Sequence, residues 1–136
     1  MYNNAAVHSN SITTYYGDGG EVYANGGIFT MYGNAAIRNN TSSSKGGGVW
    51  VGSNGSFTMW DNASVYSNNT TNASYGGGGV YVSSTGSFTM RNSAAVYFNE
   101  AGYGGGVRVQ GGTFTMMDNN VSDMAIPVST AAAAFT

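Results

Sequence analysis

One phrase recurs along this chain, at intervals that leave little choice of fold. Its clearest copies are Gly47-Gly48-Val49-Trp50-Val51 … Ser56-Phe57-Thr58-Met59 … Asn62-Ala63-Ser64-Val65 … Asn68 and Gly78-Gly79-Val80-Tyr81-Val82 … Ser87-Phe88-Thr89-Met90 … Ser93-Ala94-Ala95-Val96 … Asn99. The methionine recurs at Met31, Met59, Met90 and Met116, and Met1 fits the same slot, because residues 1–10 read like residues 31–40. The intervals are therefore 30, 28, 31 and 26 residues. A period in this range marks a repeat architecture, in which each unit buries its apolar face only against its neighbours. The chain opens inside a unit, so a fragment or a processed product is expected.

Each unit holds three short apolar/polar alternations, the signal of strands. The first is Val22-Tyr23-Ala24, Val49-Trp50-Val51, Val80-Tyr81-Val82 and Val107-Arg108-Val109, with small aliphatics on one side and a large middle residue on the other. The second is Ile28-Phe29-Thr30-Met31 and its copies at 56–59, 87–90 and 113–116. Here Phe and Met share one face and Ser or Thr mostly takes the other. The third is Ala35-Ala36-Ile37-Arg38 and its copies at 5–8, 63–66 and 94–97. Three strands and their turns make one coil of a three-sided, single-stranded parallel β-helix, with about four to five coils over residues 1–122. Successive coils would lie ~4.8 Å apart, so equivalent residues stack into ranks along the axis. Phe29, Phe57, Phe88 and Phe114 form one inner rank, and Met31, Met59, Met90 and Met116 another. Helices are excluded, because the apolar period is two and the Gly and Asn content is poor for helix.

Asparagine falls nine residues after four of the repeat methionines, at Asn10, Asn40, Asn68 and Asn99. A second set lies three residues after them, at Asn4, Asn34 and Asn62, with Ser93 in the last copy. Asn accepts the left-handed backbone of a turn, and stacked amides can bond to one another along the axis. Both sets read as structural ladders. The runs Gly46-Gly47-Gly48, Gly76-Gly77-Gly78-Gly79 and Gly104-Gly105-Gly106 mark the turn before the first strand. They lack the Lys-Ser/Thr of a phosphate loop. Length varies at one corner, where residues 69–75 exceed 41–45, which exceed 100–103. Insertions in solenoids gather on one face in this way.

Composition removes several functions. Only 7% of the 136 residues are charged, and four Lys and Arg cannot build a basic patch, so nucleic acid is not expected as a partner. A hydrophobic content of 41% in strict periodicity argues for a packed fold rather than disorder. No apolar run is long enough to cross a bilayer as a helix. Catalysis is not expected, and no cofactor or metal site is read. Asp61 and Asp118 each sit two residues after a repeat Met, two coils apart, which stacking would separate by ~10 Å. Asp is also an ordinary turn residue, and no Arg, Lys or His accompanies the pair in register. His8, the one histidine, falls in the rank of Arg38, Tyr66 and Tyr97. Gly17-Asp18-Gly19-Gly20 is similar to calcium-binding repeats, but the Asp does not recur.

The candidate binding residues are the outward aromatics. Tyr23, Trp50 and Tyr81 form one outer rank with Arg108; Tyr66 and Tyr97 form another with His8 and Arg38. Such side chains serve interfaces and sugar-binding faces, and they also stabilise sheets by cross-strand stacking; both readings stay open. Ser56 and Thr58, Ser87 and Thr89, and Thr113 and Thr115 present hydroxyls on one flat side, as ice-binding solenoids do, with Ile28 breaking the pattern. The sequons Asn40-Thr41-Ser42, Asn62-Ala63-Ser64, Asn69-Thr70-Thr71 and Asn72-Ala73-Ser74 could accept glycans in an exported protein.

The Gly-Gly-Gly-Val strand, the Phe-Thr-Met strand and Val7-x-x-Asn10, Ile37-x-x-Asn40, Val65-x-x-Asn68 and Val96-x-x-Asn99 resemble the repeats of adhesin-like right-handed β-helix proteins. They are similar to the Gly-Gly-Ala-Ile and Phe-x-x-Asn repeats of chlamydial polymorphic outer-membrane proteins, with an aliphatic residue where that family has Phe. The resemblance covers residues 1–122. It implies a right-handed coil and an exported surface segment implicated in adhesion.

The expected role is thus an extracellular or cell-surface structural or adhesive solenoid, either a surface-protein segment or a head-to-tail filament subunit. Its partners would be copies of itself or upstream repeats, met through open β-helix ends, with surface glycans as further candidates. The alternatives are a carbohydrate-binding or carbohydrate-processing β-helix and, third, an ice-binding protein. The pattern dissolves after Val121. Residues 123–136 are expected to form a cap or an extended tail, in which Pro127 would stop strand pairing.

Overall fold

The computed structural model describes residues 1–14, 20–74, 76–117 and the backbone of 126–129. Over these residues the repeat coils into an all-β solenoid. The chain passes through β1 (Ala6–His8), β2 (Ser11–Ile12), β3 (Val22–Ala24) and β4 (Ile28–Met31). It repeats the circuit as β5 (Ala36–Arg38), β6 (Thr41–Ser42), β7 (Val49–Val51) and β8 (Ser56–Met59), and again as β9 (Ser64–Tyr66), β10 (Asn69–Thr70), β11 (Val80–Ser83) and β12 (Ser87–Arg91). The last circuit holds β13 (Ala95–Tyr97), β14 (Val107–Gln110) and β15 (Thr113–Met117), and β16 (Ile126–Ser129) follows.

Equivalent strands stack into four sheets. Sheet A is β1-β5-β9-β13, sheet B is β2-β6-β10, sheet C is β3-β7-β11-β14, and sheet D is β4-β8-β12-β15-β16. Every strand ladder between turns is parallel and in register. Phe29, Phe57, Phe88 and Phe114 are successive partners, as are Met31, Met59, Met90 and Met116. The phenylalanine rings stack at 5.3, 4.8 and 4.9 Å between centroids. Val49, Val51, Val80, Val82, Val107 and Val109 from sheet C and Ala35, Ile37, Ala63 and Val65 from sheet A close the same core.

One feature adds to the sequence reading and one corrects it. The three strands expected in each coil are present as sheets A, C and D, and sheet B adds a two-residue ladder after the asparagine. Its residues show no apolar alternation, yet Ser42 and Thr70 are buried, and Glu100 continues the ladder as a bridge to Asn69. Pro127 does not stop pairing: β16 runs antiparallel to β15, with Pro127 opposite Thr115. The strand is the outermost of sheet D, where a missing N–H is tolerated if that nitrogen faces away from the partner. The chain therefore covers the C-terminal edge of sheet D with its own backbone, and that end is not open there.

Left-handed residues turn the corners within the described residues. Asn3, Gly33, Asp61 and Asn92 do so between sheets D and A, and Ser9, Asn39, Ser67 and Phe98 between A and B. Gly46, Gly77 and Gly104 precede sheet C, and Gly26, Asn54, Ser84 and Gly111 lie between C and D. All but Phe98 are glycine or the short polar residues that tolerate this backbone, and the repeat supplies them.

Candidate functional site

Immediately after the A-to-B corner, the asparagine side chains point at their own copies in the next turn. Asn10 donates from its backbone N–H and from Nδ2 to Asn40 Oδ1, both at 3.1 Å. Asn40 gives the same pair to Asn68 Oδ1, at 3.1 and 2.9 Å, and Asn68 to Asn99 Oδ1, both at 2.9 Å. The second Nδ2 proton returns to a carbonyl of the preceding turn: Asn40 to Val7, Asn68 to Ile37 and Asn99 to Val65. Asn40 and Asn68 are buried, with every amide proton and the acceptor oxygen satisfied. The outer set is looser, with Asn34 donating to Asn4 and Asn62 to Asn34 at 3.3 and 3.4 Å on the surface.

The outer rank of sheet C stands in register as Tyr23, Trp50, Tyr81 and Arg108. It is not an open platform. Tyr23 is exposed, but Trp50 and Tyr81 are only 6% and 3% accessible. Tyr23 stacks on Trp50 at 4.4 Å and 6°, and the indole lies across Gly52. Lys45 and Arg108 flank the Tyr81 ring at 5.8 and 5.7 Å, and its hydroxyl is hydrogen-bonded to Gln110. The rank of sheet A places His8 beside Arg38, Arg38 beside Tyr66 and Tyr66 beside Tyr97. Tyr66 and Tyr97 stack at 4.9 Å and 3°.

A third outer ladder escaped the sequence reading. The residues one place after Met1, Met31, Met59 and Met90 are Tyr2, Tyr32, Trp60 and Arg91. Tyr2 stacks on Tyr32 at 4.9 Å, Tyr32 on Trp60 at 6.1 Å, and the Arg91 guanidinium lies 4.6 Å over the Trp60 ring. The constant offset from the methionine was the available signal. In all of these ladders the ring planes lie across the solenoid axis, so neighbours cover the faces and edges meet solvent.

The ionisable groups do not converge. The Asp61 carboxylate accepts from the Gly33 N–H and from Asn92 Nδ2, each at 3.1 Å, and so works as a turn bridge. Asp18, Asp118 and Asp123 lie outside the described residues, and with them all but Gly20 of the calcium-like run at 17–20 and the Asp61–Asp118 pair. His8 is exposed, with Nδ1 3.1 Å from Ser9 Oγ. Among the described residues no three His, Cys, Asp or Glu side chains gather as metal ligands. Among the same residues no helix is long and apolar enough to cross a membrane. An apolar recess of about 60 Å³ opens at the end of the core between Met90, Val96, Val107, Phe114 and Met116, and these side chains carry no acid, base or nucleophile. Of the sequons, Asn40 is committed to the ladder, whereas Asn72 lies on a loop and accepts from the Ser74 N–H at 2.9 Å. No family model, curated protein or solved structure matches this chain.

Proposed function

We propose that the protein is a non-enzymatic structural and adhesive β-solenoid of the extracellular surface. One observation carries this reading: the versatile side chains act along the axis, on their own copies. The asparagine amides, most aromatic faces and the Asp61 carboxylate all bond to the adjacent turn. What reaches solvent is a repeating set of ring edges and hydroxyls, suited to extended contact with another surface. The resemblance to adhesin-like repeats points the same way.

Association with another copy or with further repeats belongs to the same reading. Strands β1, β2, β3 and β4 are the outer edges of their sheets, and edge strands template pairing. Recognition of glycans by the outward aromatics has less support. A sugar stacks on a ring face, and these faces are largely taken by the next ring or by Arg91 and Arg108.

The test combines sedimentation across a wide concentration range with adhesion of coated beads to cells and to a glycan array. Self-association or cell adhesion without glycan hydrolysis is expected. A protein that stays monomeric at high concentration and adheres to no surface would overturn the proposal.

A further inference from the structure

The outer side of sheet D differs from the other faces. Thr30, Thr58, Thr89 and Thr115 stand in one unbroken register, and Ile28, Ser56, Ser87 and Thr113 form the parallel rank two residues earlier. Strands ~4.8 Å apart and alternate residues ~6.6 Å apart make the two ranks a rectangular grid. The Phe57, Phe88 and Phe114 rings beneath it stack within 8° and 9° of parallel, and Phe29 is tilted 25° from Phe57 at the first turn. The grid is held from below, since Phe57, Phe88, Phe114 and Met59 are fully buried.

Three properties describe what such a face can hold. First, no hydrogen bond within the described protein engages the hydroxyls of the four threonines. Second, the grid carries no charge; Arg91 stands at its rim with its guanidinium turned onto Trp60. Third, each threonine sets a methyl beside its hydroxyl. Scattered hydroxyls gain little from binding water, because they exchange one water bond for another. A rigid, periodic array differs, because the waters it would hold are already fixed in the solid and little further order is lost on contact. The methyls favour that contact by leaving liquid water.

We propose that this face binds the surface of an ice crystal, whose lattice offers acceptors and donors at a fixed spacing to a fixed grid. The inference goes beyond the structural and adhesive role, and its failure leaves that role untouched.

The experiment is ice-crystal morphology and thermal hysteresis of the whole chain, with the variants Thr58→Lys, Thr89→Lys and the control Ser64→Lys on the outer side of sheet A. Circular dichroism melts confirm that each variant is folded. The parent and Ser64→Lys are expected to facet ice and to open a gap between melting and freezing. The two threonine variants are expected to give round crystals and no gap. A folded parent that leaves crystals round overturns the proposal, as do threonine variants as active as the parent. Retention on a hydroxyl-rich polysaccharide, lost in the same variants without any shaping of ice, overturns it in favour of a polysaccharide surface.

Discussion

The chain turns from sheet A to sheet B and from sheet B to sheet C with opposite chemistry. Both corners use left-handed residues, Asn39 and Ser67 at the first and Gly46 and Gly77 at the second. At the first, the next residue is an asparagine whose amide spans the gap between turns with up to three hydrogen bonds. At the second, the side chains are absent and the backbones themselves close the gap. A Cβ on Gly78 would lie 2.3 Å from the Glu100 carbonyl oxygen and 2.5 Å from that of Gly105. One corner is held by directional bonds and the other by the space that glycine leaves. The two should therefore fail differently.

The glycine corner should fail hardest. Gly78→Ala drives a methyl into backbone on two sides, and overpacking without a flexible neighbour is expected to cost about 3 kcal/mol or more. Gly27→Ala is the matched control, because its Cβ would meet nothing within 4 Å. That change should fall within ~0.5 kcal/mol of neutral, as surface substitutions do. Urea unfolding midpoints measure both. Equal midpoints for the two variants would mean that the glycine corner is not the close contact described here.

The asparagine corner should fail by position in the ladder. Asn68→Ala strips the acceptor from two Asn40 donors and the donor from the Ile37 carbonyl, all in the interior, for a cost of about 2–4 kcal/mol. Asn10→Ala removes the same residue type where it is exposed and only donates, and should cost ~1 kcal/mol or less. If the two costs agree, the ladder is not the stabilising element, and burial rather than mutual bonding explains the rank.

Much of this contrast was legible in the sequence, because a repeat prints its register. Phe57 above Phe88 and Asn68 above Asn99 follow from spacing alone, since each unit buries itself only on its neighbours. Other parts were not legible. A period of two states which side of a sheet a residue takes, not what covers that side, so Trp50 and Tyr81 were outward in rank yet buried. Sheet B is built from two-residue strands too short to show a period, and Thr41-Ser42 and Asn69-Thr70 carry no apolar contrast to detect. The Tyr2, Tyr32, Trp60 and Arg91 ladder changes chemistry at each step and sits mostly beyond the alternating strand.

The smallest expected effect lies at the glycine corner of the first full turn. Register sets Glu21 where later turns have Gly48, Gly79 and Gly106, each one residue before the aligned Val22, Val49, Val80 and Val107. One of its carboxyl oxygens is buried without a hydrogen-bond partner. Desolvation by burial raises its pKa above the ordinary 4.5. Between that value and the raised one, the folded state holds more protons than the unfolded state, so stability falls as pH rises through the window. Below 4.5 both states are protonated and the penalty vanishes. Glu21→Gln keeps the shape and removes the ionisation. The variant should match the parent at about pH 4 and exceed it slightly at about pH 7, and subtracting the two pH curves cancels every other titrating group. A glutamine variant less stable than the parent at neutral pH would mean that the charged carboxylate has a partner, and that this corner tolerates more than the absence of a side chain.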